Sequence, residues 1–168
     1  MKEKIQKFRE YLDYVERHYD NVQKAWKEVQ DKCSDMRFIH DDYVFGCIDR
    51  HVKCHDLSKL SQEEFTQYRQ FFYPTKGEVK DKELMNQGWQ NHLLKNDHHW
   101  QTWTTKDYFS PYAQEIYLVE NIIDWMAMGY EFGDTAKDYY EKNKESIKLP
   151  DWAIELMYKI FYRVYPRS

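Results

Sequence analysis

Glycine and proline are scarce in this chain, at 5 and 4 of 168 residues. So little punctuation argues against many short strands and favours long helices. Cysteine is also sparse. Cys33, Cys47 and Cys54 make an odd number without CxxC spacing, and they read as reduced thiols of a cytoplasmic protein rather than a disulfide framework. No run of about 18 apolar residues is present to span a bilayer, and Met1-Lys2-Glu3-Lys4 is not an apolar signal segment. The expectation is a cytoplasmic protein with no membrane partner. A basic block is missing too: 25 basic residues stand against 29 acidic, for a net charge of −4, so tight binding to a nucleic-acid backbone is not expected. No glycine loop for phosphate can be read. What the chain has in plenty is aromatic side chains, at 18% within a hydrophobic content of 42%. That is enough for one sizeable core, and it allows a homodimer.

Apolar periodicity predicts an all-α, single-domain bundle of six to seven helices over residues 1–168, with no internal repeat or linker. Ile5, Phe8, Leu12, Val15, Tyr19, Val22, Trp26 and Val29 form a three-four stripe over 2–33. One long helix, or two joined by a kink, fits this stripe equally well, and His18 falls on its inward side. A second helix is expected over about 42–56, with His55 on its apolar side and His51 one turn earlier. Ser61 and Glu64 read as a capping box for a helix over 61–73, which Pro74 ends. Further helices are expected over about 81–95, carrying His92 among apolar neighbours, and over 111–129, carrying Glu120 and Asp124 four apart. A polar helix over 135–147, capped by Asp134, and a last one over 150–164, with Pro150 in its first turn, complete the set. The core is expected over about 10–130, with the helices of 134–164 packed on it.

Several segments thus send His or carboxylate side chains toward the core: His18, the adjacent His55-Asp56 pair, His92, His98-His99 and Asp124. Such a set suits Mn, Fe, Co, Ni, Zn or Mg with positions left for water. Burying these groups singly would cost about 1–3 kcal/mol each, whereas a shared ion satisfies them together. Each residue also has a plainer reading. A lone histidine on an apolar face is usually a hydrogen-bonded core residue, and Asp56 could simply end a helix. His51 competes with His18 as a ligand, Lys59 could serve as a charge near a helix end, and the Trp and Tyr residues are more often core than recognition surface.

The order His18 … His55-Asp56 … Asp124 resembles the signature of the HD superfamily of metal-dependent phosphohydrolases. Lys59, three residues after Asp56, resembles the HD-x-x-K variant. More narrowly, four strings look like a family of bacterial and phage proteins that is itself taken to be HD-like and has no assigned function. They are His18-Tyr19-Asp20-Asn21-Val22, His55-Asp56-Leu57-Ser58-Lys59, His92 with Asn96-Asp97-His98-His99-Trp100, and Glu120 with Asp124-Trp125-Met126-Ala127-Met128. The resemblance covers roughly residues 10–130. It implies an HD-type helical core with one or two divalent ions, held by His18, His55, Asp56 and Asp124, with His92 as a further candidate. His92 and His98-His99 stand closer together than the later histidines of two-metal HD proteins.

The activity this resemblance implies is hydrolysis of a nucleotide or other small phosphate ester. Asp56 would accept a proton from the attacking water. Lys59, with His98 or His99, would stabilise charge on the phosphoryl group, and Glu120 would orient a ligand. Trp100, Trp103 and Tyr108 could stack on a base. Two other functions share these residues. An HD-type di-iron oxygenase would need His92 and His98 or His99 on a second iron. A non-enzymatic metal-containing module would bind a nucleotide or protein through residues 97–112 and the polar helix near 134–147.

Overall fold

The computed structural model describes residues 1–166. Among them every regular element is helical. The α-helices are α1 (Lys2–Lys32), α2 (Arg37–His40), α3 (Asp42–Lys53), α4 (Gln62–Phe72), α5 (Lys82–Lys95), α6 (Trp100–Trp103), α7 (Pro111–Phe132), α8 (Ala136–Asn143) and α9 (Asp151–Val164), and a 3₁₀ turn covers Leu57–Leu60. The all-α class expected from the sequence is therefore found, with all seven expected helices present. The additional elements, α2, α6 and the 3₁₀ turn, are single turns of four residues, too short to show a 3.6-residue period. Among the described residues no helix is long and apolar enough to cross a membrane.

Local chemistry sets the helix ends. Asp41 accepts from Val44 N to start α3, and Asp81 accepts from Glu83 N and Leu84 N to start α5. Ser110 accepts from Ala113 N ahead of Pro111, and Gly133, at φ 83°, closes α7. Two sequence-based caps differ. Ser61 precedes α4 but makes no side-chain cap bond. α8 is opened by a Thr135/Asp138 capping box rather than by Asp134, because Thr135 and Asp138 satisfy each other's backbone N–H.

The chain forms two compact units. The first contains Met1–Tyr19 and Asp56–Asn96, and the second contains Asp20–His55 and the chain from Asp97 onward. In the first unit, Tyr11 is fully buried with its ring 4.9 Å from Phe65, and its hydroxyl donates to Lys59 O at 3.2 Å. Gly88 of α5 is buried where an added Cβ would sit 2.9 Å from Gln67 Cβ of α4, so its bare backbone lets the two helices approach closely. Arg69 is buried and bridges to Glu78 in the loop after α4.

In the second unit, α7 is buried almost all round from Ile116 to Ala127, which is the pattern of a central helix. Val22, Trp26 and Val29 of α1, Val44, Ile48 and Val52 of α3, and Met157, Ile160 and Phe161 of α9 share its core.

The stripe read on α1 is not buried throughout. Val22, Trp26 and Val29 are, while Ile5, Leu12 and Tyr19 are exposed. Ile5, Leu12 and Tyr19 form a row on one flank of the stripe, and the helix packs through the opposite flank. The face that is buried runs through Tyr11, His18, Val22, Ala25 and Val29, and it includes the histidine.

Candidate metal centre

The His55-Asp56 pair sits where α3 has ended. Cys54 N closes the helix on Arg50 O and His51 O, and Asp56 then adopts φ 55°, ψ 22°. It is the one non-glycine residue with positive φ among those described. Asp is among the few side chains that tolerate the left-handed region. The turn does not use its carboxylate as a cap. Instead, that carboxylate is buried and collects three cationic or imidazole partners.

All three lie within the first unit. Asp56 Oδ2 is 3.4 Å from His18 Nε2 and 2.7 Å from Lys59 Nζ, and Oδ1 is 3.3 Å from His92 Nε2. His18 and His92 are themselves buried. Tyr14 stacks on the His18 ring at 6.3 Å, and Trp89 stacks on His92 at 5.7 Å. The other nitrogen of His92, Nδ1, lies 2.7 Å from Glu64 Oε2, and Asn91 Nδ2 donates to Glu64 Oε1 at 3.0 Å. Asn96 Nδ2 donates to Ser58 Oγ at 2.7 Å and to His92 O at 2.8 Å, which ties the Leu57-Ser58-Lys59 turn to the end of α5. Burial alone would lower the pKa of His92. The negative charge and hydrogen bond of Asp56 and the hydrogen bond to Glu64 outweigh it, raising the imidazole to about 9.

The second unit builds a group around Glu120. Its Oε1 is 3.2 Å from His55 Nδ1 and 3.3 Å from His98 Nδ1, and its Oε2 is 2.9 Å from His51 Nδ1. One turn along α7, Asp124 Oδ1 lies 3.6 Å from His55 Nε2. The rings of His55 and His98 are 4.4 Å apart, and His99 lies 4.2 Å beyond His98. Burial would raise the pKa of Glu120. The charge of His98 and hydrogen bonds from His51, His55 and His98 prevail and hold it well below the usual carboxylate range.

Buried imidazole and carboxylate donors such as these could hold a divalent cation. Ligand atoms about 2.1 Å from one ion, at tetrahedral to octahedral angles, lie roughly 3.0–3.4 Å from each other. The imidazole nitrogens of His18 and His92 stand at that spacing from the two oxygens of Asp56. The donor atoms of His55, His98 and Glu120 all lie within 4.8 Å of one another, a group that could hold an ion.

The candidates named from sequence therefore divide by unit. His18, Asp56, Lys59 and His92 gather in the first, and His55, His98, His99, Glu120 and Asp124 gather in the second. His51, weighed against His18, is a partner of Glu120. Glu64, read as a cap, is fully buried and holds His92. A sequence signal for its burial, though not for its partner, was present: Glu64 is four residues before Tyr68, on the face of α4 that is buried. Trp103 is 1% exposed and belongs to the core, unlike Tyr108 at 75%.

A family of unknown function, DUF5662, matches residues 7–160. The chain belongs to this family. Neither the curated proteins nor the solved structures gave a match.

Proposed function

We propose that the chain is a metal-dependent phosphohydrolase of HD type, acting on a nucleotide or another small phosphate ester. The observation that carries this reading is Asp56: one buried carboxylate with an imidazole 3.3–3.4 Å from each of its oxygens and a lysine 2.7 Å away. His18, Asp56 and His92 in the first unit, and His55 and Asp124 in the second, are the proposed ligands. A divalent ion held within either set would supply a Lewis acid for a phosphoryl oxygen and would acidify water toward neutrality.

The chain's own groups supply the rest. Asp56 accepts a proton from the attacking water. Lys59 brings a positive charge beside Asp56 and offsets charge gathering on the phosphoryl oxygens. His98 and His99 would donate to a phosphate oxygen or leaving group. Glu120 accepts from Nδ1 of His55, which turns Nε2 toward Asp124. Trp100 and the exposed Tyr108 offer a face to a base, whereas Trp103 does not.

The test is metal analysis and turnover with purified protein, against nucleoside mono-, di- and triphosphates and simple phosphate esters, with Mn, Fe, Co, Ni, Zn and Mg added in turn. The proposal expects bound metal and metal-dependent phosphate release, both lost in His55→Ala. Protein without metal, unchanged by His55→Ala, refutes it. The His55–His98–Glu120 group favours one further reading, a two-iron oxygenase, for which two irons per chain and oxygen-dependent turnover are the required results.

A further inference from the structure

Glu64 is 0% exposed and sits on α4, and its carboxylate is met by the imidazole of His92 and the amide of Asn91. A carboxylate taken out of water is costly unless its oxygens accept hydrogen bonds, so its surroundings reveal what it is there to do. Oε1 accepts from Asn91 at 3.0 Å and Oε2 lies 2.7 Å from His92 Nδ1. Only a protonated Nδ1 can donate there. Two other groups with hydrogens to give stand near this nitrogen, Asn96 Nδ2 at 3.1 Å and Ser58 Oγ at 3.4 Å; both are farther than the glutamate oxygen, and Asn96 Nδ2 already donates to Ser58 Oγ and His92 O at shorter range. Nδ1–H therefore points at Glu64, and the ring is turned so that Nε2 faces Asp56 Oδ1.

The second unit repeats the pattern independently. His55 gives Nδ1 to the buried Glu120 and turns Nε2 to an aspartate, Asp124. In each case a buried glutamate, an imidazole and an aspartate stand in line.

From this we infer that Glu64 is a positioning residue. It fixes the His92 ring and its Nδ1–H form so that Nε2 is presented beside Asp56 as a metal ligand, with Asn91 holding the glutamate in place. The inference rests on the metal reading above. Its consequence is that metal affinity depends on a residue that touches neither ion nor substrate, as orienting carboxylates do elsewhere.

The test compares wild type with Glu64→Ala, Glu64→Gln and Asn91→Ala. Zn(II) affinity is measured by competition with a chromophoric chelator. The His92 Nδ1–H proton is followed by ¹H–¹⁵N NMR in metal-free protein. Glu64→Ala is expected to weaken Zn(II) binding by roughly 10–100-fold and to abolish the exchange-protected Nδ1–H signal. Glu64→Gln, which keeps one acceptor oxygen, is expected to recover part of both, and Asn91→Ala to show a smaller loss than Glu64→Ala. If Glu64→Ala fails to fold, Glu64→Gln decides: a shifted Nδ1–H resonance with weakened Zn(II) binding supports the inference. Unchanged Zn(II) affinity with an unchanged Nδ1–H signal overturns it. So does an affinity loss that only tracks a lowered melting temperature. If the wild type binds no metal, the metal reading fails by itself, and the Nδ1–H signal of metal-free protein still reports whether Glu64 holds the ring.

Discussion

Nδ1 of His92 lies 2.7 Å from Oε2 of Glu64, a carboxylate wholly withdrawn from solvent. With Asp56 on the far side of the ring, the imidazole is held between two carboxylates. Such an arrangement is expensive to bury and gains its stability from a network in which each group is satisfied by the next.

Asp56 both turns the chain and gathers the imidazoles. Asn tolerates the left-handed conformation nearly as well, so Asp56→Asn keeps the turn while removing the charge. Bound metal is expected to fall to background and phosphate release by at least about 100-fold. Metal analysis and turnover, with circular dichroism confirming the helical fold, check this.

Glu120 faces three imidazoles from inside the second unit. Glu120→Ala leaves those groups without their acceptor, at a cost of about 3–5 kcal/mol of stability. Glu120→Gln retains one acceptor oxygen and is expected to lose less than half as much. Urea unfolding of the metal-free variants measures both.

Much of this scaffold was legible in the sequence. Periodicity placed the seven longer helices, because that signal is local. His18, His55, Asp56, His92 and Asp124 were all singled out, since each is a ligating residue type on or beside an apolar face. Glu64 was not, because Ser61-x-x-Glu64 matches a capping box in sequence, and only the packing of α4 against α5 shows its carboxylate turned to His92. The outward turn of Ile5, Leu12 and Tyr19 was hidden for a related reason: a three-four stripe shows which residues share a side of a helix, not which flank of that side packs.

Glycine positions in the second unit give a contrast in sign. An added Cβ at Gly46, within α3, meets nothing within 4 Å, so Gly46→Ala is expected to stabilise by about 0.5–1 kcal/mol through helix propensity. At Gly129 the same Cβ would lie 2.5 Å from Asp134 O, a backbone atom that cannot swing aside. Gly129→Ala is expected to destabilise by about 1–3 kcal/mol. Thermal melts of the two variants should move in opposite directions.

Acid stability should show the Arg69–Glu78 bridge. Hydrogen bonds from Arg69, working against burial, lower the Glu78 carboxyl from 4.5 to about 2. A carboxyl depressed in the folded state binds its proton more readily when unfolded. Its contribution is therefore complete above about pH 4.5 and disappears as pH falls toward 2. Glu78 is partly exposed, so screening reduces the effect to on the order of 1 kcal/mol. Glu78→Gln is expected to be less stable than wild type at pH 6 and to converge with it near pH 2, as read from urea midpoints across that range.

The central claim, that Asp56 is a metal ligand, is tested most directly by anomalous diffraction from crystals grown with Mn(II) or Zn(II), collected above and below the metal edge. The account predicts an anomalous peak within bonding distance of an Asp56 carboxylate oxygen and of at least one of the imidazoles facing it. Crystals with no peak there, in which Asp56 remains paired to His18, Lys59 and His92, would contradict it.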